Sequence, residues 1–104
     1  EDALCAELQL REIPFVRQAP ITIKYKGHVI GTGRVDILVN DAVVVELKSV
    51  ESLTALYSAQ VITYLKAADK RTGLLINFGA AILKQGIKRL YNNNTPQTSN
   101  TPKT

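Results

Sequence analysis

The chain is poor in the residues that staple small domains together. Its 104 residues include one cysteine, Cys5, and one histidine, His28. A single thiol excludes an intrachain disulfide framework. One thiol and one imidazole also cannot build a Cys/His zinc site from this chain alone. Cys5 reads as a small buried apolar residue and not a nucleophile, because no partner histidine is indicated. His28 reads as a turn residue. No apolar run approaches the roughly 20 residues of a membrane span, so no membrane association is expected. No secretory signal is visible either. There is no internal repeat. This cysteine usage fits a reducing compartment, and the cytoplasm is the expected location.

What is present describes one ordinary domain. The length allows a single domain that buries roughly 60–70% of its unfolded surface. The hydrophobic share of 45% and charged share of 21% suit a globule. The net charge of +4 leans towards anionic partners, nucleic acid among them. Charge alone favours the blander reading, a basic domain that binds no nucleic acid. The opening Glu1-Asp2-Ala3-Leu4 reads as the middle of a helix, which suggests that a natural front end is missing.

Periodicity divides the chain. Leu4 and Leu8 lie one turn apart in a short helix over residues 1–11, which Pro14 ends. Residues 21–25 alternate as a strand, Lys26-Gly27 turns the chain, and residues 28–30 lead back. Gly31-Thr32-Gly33 is expected to interrupt, as a bend or bulge in a hairpin. The spacing of its glycines does not fit a phosphate-binding loop, and no helix follows. Residues 34–39 and 43–48 are two further strands. From Ser52 to about Lys70 apolar residues step by three and four, with Ser52 or Thr54 as N-cap. Residues 73–78 form a buried strand, and 82–91 a last short helix. The whole is an α/β domain over residues 1–91, a mixed sheet flanked by helices in the order α-β-β-β-β-α-β-α. Residues 92–104 are polar and expected to be disordered.

One stretch carries chemistry. Asp36, Glu46 and Lys48 are ionisable residues inside otherwise apolar strands. Burying an unpaired charge costs several kcal/mol or more, so such residues meet each other, a metal or a ligand. Residues two apart on a strand share a face, which groups Glu46 with Lys48. Matching the apolar faces places Val35, Ile37 and Val39 beside Val43, Val45 and Leu47, and Asp36 with Val44, Glu46 and Lys48. A two-residue loop at Asn40-Asp41 gives the wrong parity. A three-residue loop, Asn40-Asp41-Ala42, or a bulge sets Asp36 opposite Glu46.

Two carboxylates, with the backbone carbonyl of Leu47 between Glu46 and Lys48, are hard oxygen donors suited to Mg²⁺ or Mn²⁺. Lys48 beside them could orient a water or neutralise charge on a phosphate. This is a parts list for phosphodiester hydrolysis. The competing reading is a partly buried ion pair that only braces the sheet. Gln60 and Tyr64, one helical turn apart, could reach the same site, or be a solvated residue and a core residue. Glu7 on the first helix is a further candidate carboxylate, or a solvated one. The lysines and arginines from Lys24 to Arg89 could form a phosphate-contacting rim, or be merely solvated. Arg34, at the strand entrance, is the foremost of them, with Lys66 and Tyr64 as further candidate nucleic-acid contacts.

Asp36 followed by Glu46-Leu47-Lys48 resembles the split D…(D/E)xK signature of the PD-(D/E)XK nuclease superfamily. Gln60-x-x-x-Tyr64 resembles the QxxxY motif of its exonuclease-like branch. The ordered set from Ala3-Leu4-x-x-Glu7-Leu8 to Gly73-Leu74-Leu75-Ile76-Asn77-Phe78-Gly79 is similar to the GxxExxY protein family within it, over roughly residues 3–90. The resemblance implies a restriction-endonuclease-like fold. It implies Mg²⁺ or Mn²⁺ held by Asp36 and Glu46, with Glu7 a further ligand candidate. It also implies a catalytic Lys48 supported by Gln60 and Tyr64. The implied activity is hydrolysis of nucleic acid, DNA in the first instance, with a homodimer left open. The alternative is a catalytically silent module that binds nucleic acid or a protein. The GxxExxY segment itself is missing from the front.

Overall fold

Runs of β-branched residues bounded by turn formers dominate the chain, and they build a five-stranded sheet. A computed structural model describes residues 1–93. The elements are α1 (Asp2–Leu10), β1 (Phe15–Tyr25), β2 (His28–Val39), β3 (Val43–Lys48), α2 (Ala55–Ala68), β4 (Thr72–Asn77), a 3₁₀ turn (Leu83–Gly86) and β5 (Ile87–Tyr91). The strands lie in sequence order. β3 and β4 pair in parallel, and the other neighbours are antiparallel. A parallel pair needs a crossover connection, which α2 supplies.

Both faces of the sheet are covered. Alternate residues of β3 and β4 point to opposite sides. Val44 and Leu75 pack beneath Val61 and Leu65 of α2. Val45 and Ile76 join Ile37 and Cys5 beneath α1. Cys5 is buried, as expected of a small apolar residue. The approach of α2 is close at Gly73. A Cβ there would stand 2.8 Å from Val61 Cγ1, so a larger residue would push the helix off the strand.

Several expectations from the sequence change. Residues 28–30 and 34–39 form one strand, β2; Gly31-Thr32-Gly33 does not end it, and the expected bulge lies beside it, where Ile23 pairs with Gly31 and Lys24 with Val29. β1 starts at Phe15, well before residue 21. It tolerates Pro20 because it is an edge strand, where a missing N–H costs no ladder bond. The closing helix expected over 82–91 is a single 3₁₀ turn followed by β5 on the edge of β4. The polar tail does not begin at Asn92. That residue is buried, its N–H donates to Arg71 O at 2.8 Å, and Nδ2 donates to Lys70 O at 3.3 Å. The remainder of the tail, 94–104, lies outside the described residues.

The face assignment also shifts at one residue. Ile37 and Val39 lie on the α1 side as expected, but Val35 is buried on the α2 side. Regular pairing of β1 with β2 runs Arg17–Ile37 and then Ala19–Val35, skipping Gln18 and Asp36. Gln18 is left-handed, with φ of 51°. The hairpin therefore breaks its alternation at Asp36, the kind of strand irregularity found beside functional sites.

Candidate functional site

Strand register brings the two carboxylates together. Val39 pairs with Val43, Leu38 with Val44 and Ile37 with Val45, leaving the three-residue loop Asn40-Asp41-Ala42 that parity demanded. Asn40 and Asp41 turn the chain at φ of 53° each. That conformation is less costly for Asn and Asp than for most side chains. The same register sets Asp36 opposite Glu46.

At that step the backbone ladder stops and side chains replace it. Asp36 N–H donates to Glu46 Oε1 at 3.0 Å, and Leu47 N–H donates to Asp36 Oδ2 at 2.8 Å. Each carboxylate is thus pinned by one oxygen to the opposite strand. The second oxygen of each has no hydrogen-bond partner among the described residues and is not sealed from water. Two oxygens on adjacent strands are left to accept a ligand from outside.

No cation forms a salt bridge with them among the described residues. Lys48 forms no salt bridge with Asp36 or Glu46 among the described residues. Its ammonium sits 4.8 Å from the centre of the Tyr57 ring on α2. The braced ion pair that spacing also allowed is not the arrangement adopted.

The electrostatic consequence falls on Glu46, which is only 8% exposed. Burial pushes its carboxyl up to about 7 from an ordinary 4.5. The Asp36 N–H pulls it down, the Asp36 carboxylate pushes it up, and Lys48 pulls it down again. Between pH 4.5 and 7 the folded chain holds a proton that the unfolded chain has released. This group's stabilisation is therefore complete below pH 4.5 and is lost as pH rises through 7. Urea denaturation of metal-free protein is expected to show stability falling by about 1–2 kcal/mol across that window, after discounting for water at the open side. The Glu46→Gln variant should lack that fall; an equal slope in the variant would assign it elsewhere.

None of the other candidate residues forms a hydrogen bond or salt bridge with Asp36, Glu46 or Lys48 among the described residues. Gln60 Nε2 donates to Tyr64 Oη at 3.5 Å, but neither bonds to Asp36, Glu46 or Lys48. Arg34 and Lys66 are exposed and form no salt bridge among the described residues. Glu7 is not brought to the site. It is exposed and bridged to Arg11 at 3.2 Å, on the helix that covers the opposite face. Among the described residues no third carboxylate, histidine or cysteine joins Asp36 and Glu46.

Two residues that sequence reasoning passed over define the surroundings. Tyr57, one turn before Gln60, takes Lys48; its helical spacing had marked it only as core. Asn77 is fully buried at the end of β4, in register with Lys48. Its Oδ1 accepts from Val50 N–H at 2.9 Å and Gly79 N–H at 3.0 Å, and its Nδ2 donates to Val50 O at 2.9 Å. Phe78 N–H donates to Lys48 O at 2.8 Å. This clasp ties the chain just after Lys48 to the end of β4. Gly79 is part of it, since a Cβ there would overlap Val50 O. A buried polar residue inside an apolar run was the available signal.

A family model for the PD-(D/E)XK nuclease superfamily matches residues 1–90. The chain belongs to that superfamily. Its mixed sheet, with a helix on each face, is the restriction-endonuclease-like α/β fold. Members of the PD-(D/E)XK superfamily are generally nucleases, and divalent metals are their usual cofactors. A comparison with curated proteins finds no match to the chain. Among the described residues no helix is long and apolar enough to cross a membrane.

Proposed function

We propose that this chain is an Mg²⁺- or Mn²⁺-dependent nuclease that hydrolyses phosphodiester bonds in DNA, of the GxxExxY kind within its superfamily. The observation that carries the reading is the paired carboxylate: Glu46, buried and without a salt bridge, beside Asp36, each with one oxygen unbonded among the described residues. That donor set fits a hard divalent cation, with the Leu47 carbonyl as a further candidate oxygen. A bound metal of this kind lowers the pKa of water and polarises a phosphoryl oxygen.

The chain's own residues would do the rest. Asp36 and Glu46 hold the cation, and Glu46 must release its proton to do so. Lys48 leaves Tyr57 to neutralise charge on the attacked phosphate or to orient the attacking water. Gln60 and Tyr64, on the same helix as Tyr57, would be the candidates to contact the substrate.

A second reading, a silent module that binds nucleic acid, draws on one observation: Lys48 rests on Tyr57 rather than between the carboxylates. Cleavage decides between them. Incubating the protein with single- and double-stranded DNA in Mg²⁺ and in Mn²⁺ should yield products that chelation prevents. Absence of cleavage in either metal would discard the enzyme reading.

A further inference from the structure

β2 is twice as long as β3. Its pairing with β3 begins only at Ile37, and before Asp36 the strand has β1 as its sole strand partner. The inner part of this hairpin is anchored, with Ala19, Ile21 and Val35 buried beneath α2. From Lys24 to Ile30 every residue is exposed. The tip closes on Lys26-Gly27, both at positive φ, and a side chain at Gly27 or Gly31 would meet nothing within 4 Å. The result is a slender two-stranded arm.

Its charge has one sign. Residues 13–35 contain Arg17, Lys24, Lys26 and Arg34, and no Asp or Glu. Arg17 is taken by Glu1 and Asp2. Lys24, Lys26 and Arg34 form no salt bridge among the described residues. Lys26 lies 5.4 Å from the centre of the Tyr25 ring, which is itself 60% exposed. Lys24 also lines a cleft of about 550 Å³ of mixed charge at the end of α2, with Lys66, Asp69 and the Lys70–Asp41 ion pair. At the other end, Arg34 stands two residues from Asp36. Basic side chains therefore run from the carboxylate pair along the arm.

We infer that this arm is the nucleic-acid-holding element of the protein, engaging the phosphates of duplex DNA through Lys24, Lys26 and Arg34. A two-stranded ribbon fits the roughly 12 Å width of the major groove. About eight residues from Asp36 to the tip reach some 25 Å along it. The inference rests on the nuclease reading for the identity of the ligand, but not for the chemistry, so binding is measured without metal. Anisotropy of a labelled duplex of about two helical turns, in EDTA, is read from roughly 50 to 200 mM salt.

The triple variant Lys24→Ala/Lys26→Ala/Arg34→Ala should weaken binding about 10–100-fold at low salt. It should also flatten the log K against log salt slope by two to three units, about 0.9 per lost phosphate contact. Lys84→Ala/Lys88→Ala/Arg89→Ala removes the same charge from the opposite edge of the sheet. It should weaken binding at least fivefold less. Equal losses in the two triples, an unchanged slope, or no binding by the parent protein would overturn the inference. A parent dimer dissolved by Val29→Ser/Ile30→Ser in sedimentation, with DNA affinity unaffected, would overturn it in favour of a second copy on the arm. Cleavage failing while arm-dependent binding persists would remove only the nuclease reading.

Discussion

Replacing Lys48 by methionine is expected to lower metal-dependent cleavage by about 10²–10⁴-fold, the range for losing one charge-stabilising or proton-transferring group. The same variant should remain folded. Methionine keeps most of the half-buried stem, and the ammonium it removes lies 4.8 Å from the Tyr57 ring and exerts only the weakest pull on the Glu46 carboxyl. A partly exposed cation–π contact is worth about 0.5–1 kcal/mol, little beside a domain's stability. Rate and stability should therefore separate, as single-turnover cleavage and urea denaturation on the same preparation would show. A variant that cuts at the parent rate would exclude Lys48 from the chemistry. A variant that is slow but also several kcal/mol less stable would make its role structural.

The second large effect lies with Asn77. Truncation to alanine is expected to cost about 3 kcal/mol of folding stability. It leaves Val50 N–H, Val50 O and Gly79 N–H without their buried partner. Each stranded group costs about 1–3 kcal/mol, moderated where water enters. For a domain of this size the melting temperature should fall by roughly 12–24 °C. Asn77→Asp tests the direction of the bonds. It preserves shape and the acceptor towards Val50 N–H and Gly79 N–H, but turns a carboxylate oxygen towards Val50 O. It should therefore also destabilise strongly at neutral pH. If Asn77→Ala costs less than about 1 kcal/mol, the clasp is not what secures the segment after Lys48. Because Asn77 stands in register with Lys48, the surviving folded fraction should also cut more slowly.

The site was legible where local rules act alone. Alternation along 34–39 and 43–48 required an odd connection, and the observed loop of Asn40, Asp41 and Ala42 supplies it. The same parity argument failed at Val35. A left-handed Gln18 on the neighbouring strand interrupts the pleat, and nothing in the order of residues announces that conformation. Residues 87–91 were misread because Ile87, Leu90 and Tyr91 fit a step of three or four as well as a strand. An edge strand of five residues is held by its neighbour, here β4, and not by its own propensity.

Sequence by itself determined the mixed α/β sheet, the approximate span of α2, the burial of Cys5 and the pairing of Asp36 with Glu46. These follow from side-chain periodicity and turn chemistry, which are properties of neighbouring residues. Tertiary structure alone decided three further things. It set α1, and Glu7 with it, on the far face of the sheet. It gave Lys48 to Tyr57 and enclosed Asn77 between chain segments 27 residues apart. It raised the proton affinity of Glu46, because desolvation depends on everything packed around a carboxylate and not on the residues beside it in the chain.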